Sequence, residues 1–251
     1  LDPRIGPHYL KAGLGYGGSC LPKDVAGLIH MATDQGVAPV LLTAVASVNT
    51  LRPGKVVAKL RQALGGSLAG RVVAVLGLGF KGGTDDLRSS PALEVVRLLA
   101  RAGARVRAYD PAHAPTSNAG PHAGAAGCAD APGNPSPNPA HRQVPEPLPG
   151  GAAGAAAAAA AAATRAAALP DPGLGLDPGD SACVEILPHA YEAVRGVEAV
   201  AVLTDWNEFT QLDWERMREM MAGRVVLDAR LCLDAAHLTG LGFVYIAPGR
   251  G

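Results

Sequence analysis

Cys20 stands in Gly15-Tyr16-Gly17-Gly18-Ser19-Cys20-Leu21-Pro22-Lys23-Asp24, a glycine-rich loop that ends where a helical pattern begins. A thiol at such a junction meets unpaired N–H groups and the positive end of the helix dipole, and both favour the thiolate. Asp24 follows one turn later, on the same helix face as the sulfur. A nucleophile with a carboxylate nearby suits covalent catalysis in which the carboxylate handles water or protons. A lone cysteine is more often a small buried hydrophobe. The case for chemistry therefore rests on the company Cys20 keeps: the glycines, Lys23 and Asp24.

The elements that must position this loop can be read on either side of it. Val25, Leu28, Ile29 and Ala32 repeat at the three–four spacing of a buried stripe and predict a helix from about Leu21 to Gln35, ended by Gly36. Pro39 opens a second helical pattern over Val40 to Leu64, in which Pro53-Gly54 predicts a kink or break. Arg71 to Leu76 is a β-branched run ending at Gly77. Pro91 to Ala102 is an amphipathic helix turning Leu93, Val96, Leu99 and Ala100 inward, and Arg105 to Tyr109 is the next strand. Such a β–α–β unit implies a parallel, right-handed crossover. Further on, Ala190 to Val194 and Trp214 to Met221 read as helices, and Ala199 to Leu203, Val225 to Leu227 and Phe243 to Ile246 as strands.

Between these halves, Ala112 to about Asp180 contains PGNPSPNP, GGAAG and an alanine run over 155–163. It has little to bury and reads as a disordered insertion, within which the alanines favour an isolated helix. Without it the order is alternating β and α. The expected fold class is therefore α/β: a helical segment (1–66) followed by a Rossmann-like doubly wound parallel sheet domain (67–251) carrying a disordered insertion (112–180).

Composition sets outer limits. Lys+Arg and Asp+Glu are both 22, which gives no electrostatic footprint for nucleic acid or an anionic membrane. No apolar run is long enough to span a bilayer, the alanine tract being too weakly hydrophobic. Cys20, Cys128, Cys183 and Cys232 form no CxxC pair or Cys/His ligand spacing, so no metal site is expected, and their sparse use suits a reducing, cytoplasmic setting. The chain starts at Leu1 without a signal-peptide pattern and reads as a fragment or processed product.

A second motif invites a different chemistry. Gly77-Leu78-Gly79-Phe80-Lys81-Gly82 matches GxGxxG after a strand, and Asp110 ends the next strand. Taken at face value, this is a small NAD-binding oxidoreductase with Asp110 on the adenosine ribose. Against that reading, Asp85 and Asp86 would repel a pyrophosphate, and the following helix starts only at about Ser90.

Arg4-Ile5-Gly6, Tyr9-Leu10-Lys11 and GYGGSCLPKD together resemble the catalytic segment of the UDP-glucose/GDP-mannose dehydrogenase family. GLGFKGGTDDLRSSPA resembles the segment that opens that family's C-terminal nucleotide-sugar domain. Tyr109-Asp110-Pro111, Thr204-Asp205-Trp206-Asn207-Glu208-Phe209 and Asp228-Ala229-Arg230 resemble three later turns. Trp206 itself reads as turn packing. The resemblance covers about Asp2 to Pro111 and Ser181 to Gly249, and the insertion has no match. At Ala229 the family pattern has glycine, which would matter if that position needs a positive φ.

The resemblance implies a sugar C6 alcohol oxidised twice to a carboxylate with NAD as cofactor. Cys20 would carry a thiohemiacetal and then a thioester, and Asp24 would assist proton transfer or water activation. It places Arg4, Tyr9, Lys11, Gly15, Tyr16, Gly17, Phe80, Lys81 and Arg230 on the substrate, Arg4 reaching from a neighbouring subunit. Cys20, Lys23 and Arg88 line the cofactor. UDP-glucose is the implied substrate, with GDP-mannose the alternative, and a homodimer or higher homo-oligomer through the central helix is implied, although Pro53 falls within that helix. The family's N-terminal NAD-binding domain has no counterpart in these residues, so the chain alone is expected to be inactive.

Overall fold

The computed structural model describes residues 12–115, 174 and 176–249. Two helices come first, α1 (Leu21–Asp34) and α2 (Val40–Ala63). The sheet domain then runs β1 (Val72–Leu76), α3 (Pro91–Arg101), β2 (Arg105–Tyr109), α4 (Pro178–Ser181), β3 (Val184–Ile186), α5 (Ala190–Ala193) and β4 (Ala199–Val202). It closes with α6 (Asn207–Thr210), α7 (Trp214–Met220), β5 (Val225–Asp228), α8 (Ala235–Gly240) and β6 (Val244–Ile246). The six strands are all parallel, in the order β3-β2-β1-β4-β5-β6. Strand order reverses between β1 and β4, the topological switch point at which doubly wound sheets bind ligands. The expected α/β class with a doubly wound parallel sheet is what forms.

Side chains alternate across the pleat and build a core on each face. Val73 and Val75 pack on one side with Leu93, Val96 and Leu99 of α3 and with Val56, Val57 and Leu60 of α2. Ala74 and Leu76 pack on the other with Ala193, Phe209, Trp214 and Met217. The C-terminal half of α2 is thus part of the sheet's own core, and the boundary near residue 66 runs through a shared apolar layer.

Three expectations change. First, α2 runs through Pro53 without a break. The proline costs one intrahelical bond, but Pro53, Val56, Val57 and Leu60 are buried and hold the helix together. Second, the stripe on α1 is not a buried one: Ile29 is buried, Val25 and Ala32 are half-buried, and Leu28 is exposed. Third, the edges of the 112–180 segment are packed. Ala112 N–H donates to Asp110, Leu176 is buried, and Arg101 binds Asp177 at 2.9 Å and Asp180 at 3.1 Å. Regular structure resumes with α4 rather than at Cys183; the interior of the segment and its alanine run lie outside the described residues. Cys183 is disulfide-bonded, a correction to the expectation from sparse cysteine use, while Cys20 and Cys232 are free thiols.

Candidate functional site

The loop before Cys20 is held from two sides. Tyr16 N–H donates to Asn49 Oδ1 at 2.9 Å, and Asn49 Nδ2 donates to the Tyr16 carbonyl at 3.0 Å, tying the loop to α2. On the other side Gly18 N–H donates to the Arg88 carbonyl at 2.9 Å. Gly17 lies against the Ser89 carbonyl, with Phe80 Cβ and Pro91 Cδ each 2.9 Å from where a Cβ would stand. Gly18, at φ +82°, lies under the Phe80 ring. A side chain at either position would push the loop off its bed, so these glycines serve close approach as well as backbone freedom.

Cys20 occupies the N-cap position of α1 and is exposed, with its carbonyl accepting from Asp24 N–H at 2.8 Å. Ser19 Oγ lies 3.7 Å from the sulfur. Lys23 Nζ is 3.0 Å from the Asp24 carboxylate. The Asp24 hydrogen bond and charge hold the Lys23 ammonium above its usual range, and Cys20 adds to this. Arg88 forks onto Asp86 through Nε at 2.9 Å and Nη2 at 2.8 Å. That pairing raises the guanidinium, again with a contribution from Cys20, and lowers the Asp86 carboxyl. Cys20 therefore lies within electrostatic reach of both the Lys23–Asp24 and the Arg88–Asp86 ion pairs.

Arg230 reaches the same region from the end of β5. Its Nη2 pairs with Asp205 at 3.1 Å, and a Cβ on Gly13 would stand 3.5 Å from its Nη1. A shallow cavity beside it is lined by Ala12, Asp205, Arg230, Leu231 and Cys232. Burial pushes the Asp205 carboxyl up, but Arg230 and the Gly82 N–H outweigh it and hold the group low. Burial, with the Asp228 and Asp205 charges, pushes the Cys232 thiol up to about 12, so it is a poor nucleophile beside Cys20. Lys81 Nζ lies over the Phe80 ring at 5.4 Å, a cation–π contact. Ala229 keeps a negative φ, so alanine fits where the family pattern has glycine. Among the described residues, the non-glycine residues at positive φ are Ser89 and Leu231, immediately after Arg88 and Arg230 respectively. Such backbone strain is tolerated where it aims functional groups.

The glycine turn after β1 is not a dinucleotide cradle. Asp110 Oδ2 accepts from Leu78 N–H at 2.7 Å, Gly79 N–H at 3.3 Å and Trp206 Nε1 at 3.3 Å. Asp110 Oδ1 accepts from Ala112 N–H at 2.9 Å and sits 3.1 Å from His113 Nδ1. The Leu78 carbonyl accepts from Ser90 Oγ at 2.6 Å and the Gly79 carbonyl from Thr204 Oγ1 at 2.8 Å. A pyrophosphate needs the turn's N–H groups free, and a ribose needs the aspartate exposed. Here the fully buried aspartate consumes those N–H groups. The small NAD-binding oxidoreductase reading is overturned. Residues 78–81 are instead a rigid shelf that presents Phe80 and Lys81.

The loop that leads to Cys20 thus runs past Arg230 at Gly13, past Asn49 at Gly15 and Tyr16, and past Phe80 and Arg88 at Gly17 and Gly18, with Lys23 one turn into α1. Arg4, Tyr9 and Lys11 lie outside the described residues. Asn49, Asp110 and Asp205 organise the site and were not singled out from sequence as substrate contacts. The one signal for Asn49 was a polar residue of poor helix propensity inside a long helix. Among the described residues no group of three or more His, Cys, Asp or Glu side chains could hold a metal ion, and no helix is long and apolar enough to cross a membrane.

A doubly wound nucleotide-binding sheet preceded by a cysteine-bearing helix pair defines the class. Family models sharpen it: the central domain of the UDP-glucose/GDP-mannose dehydrogenase family matches residues 1–51, and that family's UDP binding domain matches 74–132 and 157–235. The UDP-binding match alone takes in more than half of the chain, and the chain belongs to the UDP-glucose/GDP-mannose dehydrogenase family. The match takes in the two flanks of the low-complexity segment, 112–132 and 157–180, and leaves 133–156 unmatched.

The chain is 34% identical over 251 residues to a UDP-glucose 6-dehydrogenase of Pseudomonas aeruginosa, covering 99% of this chain and 43% of that protein. It is 33% identical to that of Rhizobium meliloti, covering 100% and 44%. A solved UDP-glucose dehydrogenase from Pyrobaculum islandicum aligns with a TM-score of 0.58 and 31% identity over 92% of this chain and 38% of that one. The chain therefore spans less than half the length of the relatives it matches.

Proposed function

We propose that this chain forms the nucleophile-bearing and sugar-nucleotide-binding part of a UDP-glucose 6-dehydrogenase, which oxidises UDP-glucose to UDP-glucuronate. The observation that carries the reading is Cys20 at the N-cap of a 14-residue helix, its loop laid against the Phe80–Arg88 shelf. The resemblance of the whole chain to UDP-glucose 6-dehydrogenases supports the substrate.

In this reading Phe80, Lys81 and Arg230 hold the UDP moiety, cations against phosphates, and Tyr9, Lys11 and Gly15 to Gly17 wrap the sugar. Arg4 comes from a second subunit. NAD, when bound against Cys20, Lys23 and Arg88, supplies the hydride acceptor for two successive two-electron oxidations. After the first, the Cys20 sulfur adds to the C6 aldehyde and forms a thiohemiacetal. Its oxidation leaves a thioester on Cys20. Water then attacks the acyl carbon, the C–S bond breaks, Asp24 takes the water proton, and the helix N-terminus stabilises the departing thiolate.

In this reading the rest of the cofactor site belongs to the part of the relatives' length that this chain does not span. The 251-residue polypeptide by itself is expected to form no NADH. Exposed Leu28, Met31, Val40, Leu41, Val48 and Leu51 on α1 and α2 give this reading its homodimer, covered by a second copy.

The test is titration of the chain with UDP-glucose, GDP-mannose and NAD, combined with alkylation of Cys20 followed by mass spectrometry. UDP-glucose is expected to bind and shield Cys20, GDP-mannose to bind more weakly, and NAD not to bind tightly. A chain that binds no nucleotide sugar, or leaves Cys20 equally reactive with and without UDP-glucose, refutes the reading.

A further inference from the structure

We infer that Asn49 is a positioning residue for the nucleophile loop: from α2 it fixes the peptide of Tyr16 so that Cys20 meets the sugar. The inference rests on the proposed role of Cys20 and adds a residue to it.

Asn49 lies inside α2, where asparagine is a poor choice for helix stability. Pro53, one turn on, cannot donate to the Asn49 carbonyl, so the helix gives up a bond at this point as well. What the position gains is a two-way bridge across 33 residues of chain: the amide oxygen accepts from Tyr16 N–H, and the amide nitrogen donates to the Tyr16 carbonyl. An amide is the side chain that offers an acceptor and a donor side by side at neutral pH. The loop is shaped to receive it. Gly15 sits at φ +128°, and a Cβ there would stand 2.5 Å from Asn49 Oδ1. With Gly18 bonded to Arg88 on the opposite side, the four residues Gly15 to Gly18 are pinned between α2 and the Phe80 shelf. Cys20 follows two residues later, so its sulfur inherits the loop's placement.

Two variants of the full chain test this. In Asn49→Ala, amide hydrogen exchange in the 12–20 loop should quicken about ten- to a hundredfold, the scale of the two hydrogen bonds it removes. Exchange in β1 and β4 should be unchanged. The UDP-glucose concentration that half-shields Cys20 from alkylation should rise about tenfold on the same scale, while affinity for UDP alone stays within twofold of wild type. Asn49→Asp keeps shape and acceptor but loses the donor while ionised. At pH 7.5 it should fall between wild type and the alanine variant, keeping the bond from Tyr16 N–H and losing the one to the Tyr16 carbonyl. Relative to wild type at the same pH it should recover as pH falls toward the carboxylic-acid range, where O–H again donates to the Tyr16 carbonyl.

Unchanged loop exchange in both variants, or unchanged shielding despite quicker exchange, overturns the positioning role. So does an Asp variant that shows no acid recovery. Wild-type Cys20 that UDP-glucose fails to shield overturns the site reading instead, and the exchange measurement still judges whether Asn49 holds the loop.

Discussion

Replacing Asp110 with alanine should unfold this protein more readily rather than strip it of a ligand. The carboxylate is fully buried and accepts from the Leu78, Gly79 and Ala112 N–H groups and from Trp206 Nε1, with His113 beside it. Alanine leaves at least the two buried backbone donors of Leu78 and Gly79 without an acceptor. At about 1–3 kcal/mol for each unmet buried donor, the loss is about 2–6 kcal/mol, a large part of the 5–15 kcal/mol typical of a domain. Asparagine is milder. Its oxygen can take the Oδ2 place and still serve Leu78, Gly79 and Trp206, while its NH2 group faces His113. Only the Ala112 N–H is stranded, and that residue is exposed enough for water to reach it. Asp110→Asn should therefore cost about 1–2 kcal/mol.

Urea denaturation of wild type and the two variants measures both values, and pH adds a second axis. Burial pushes the Asp110 carboxyl up, but the Leu78, His113, Ala112 and Gly79 hydrogen bonds outweigh it and leave the folded-state value depressed. A depressed value means the stability is present above the unfolded carboxylate range and is lost as pH falls from about 3.8 through the folded value. Wild type should show that acid loss, and Asp110→Asn should lack this part of it. An alanine variant within 1 kcal/mol of wild type, or tight NAD binding that vanishes with Asp110, would refute the structural role and revive the dinucleotide turn.

Two further outcomes are expected. Gly17→Ala places a Cβ against the Ser89 carbonyl oxygen, backbone that cannot swing aside, with Phe80 Cβ and Pro91 Cδ each 2.9 Å away. It should cost about 1–3 kcal/mol by overpacking and abolish UDP-glucose shielding of Cys20, with thermal unfolding and alkylation as the measurements. Glutamate at Leu41 and Val48 sets two charges on the exposed apolar stretch of α2. Sedimentation should find wild type dimeric and the double variant monomeric, with circular dichroism unchanged. A wild type that is monomeric at micromolar concentration removes that interface.

The strands and α3 were legible because their signal is local. Arg105 to Tyr109 is the strand the sequence predicts, and Leu93, Val96, Leu99 and Ala100 all face the core. The short β3 gave too few residues for any alternation to register. Leu28 shows a different limit: an apolar stripe has the same spacing whether it meets the chain's own core or stands exposed, and periodicity cannot tell the two apart. Pro53 shows a third, since whether a proline ends a helix depends on what the following turns bury, and here Val56, Val57 and Leu60 join the sheet's core.

The site divides along the same line. Cys20 was legible because its chemistry depends on a loop, a helix start and one residue type, all within a few positions. The two meanings of the Gly77 turn were not separable by motif, because both want glycines after a strand and an acid at the end of the next one. What separates them is where the acid points. A carboxylate that caps the turn's own N–H groups makes a rigid shelf, and one turned outward leaves those groups for a phosphate. That choice is made by Trp206, Ser90 and Thr204, which close over the turn from distant points in the chain. Asn49 follows the same logic, since its partner is a backbone peptide and any residue but proline at position 16 would have offered the same two atoms.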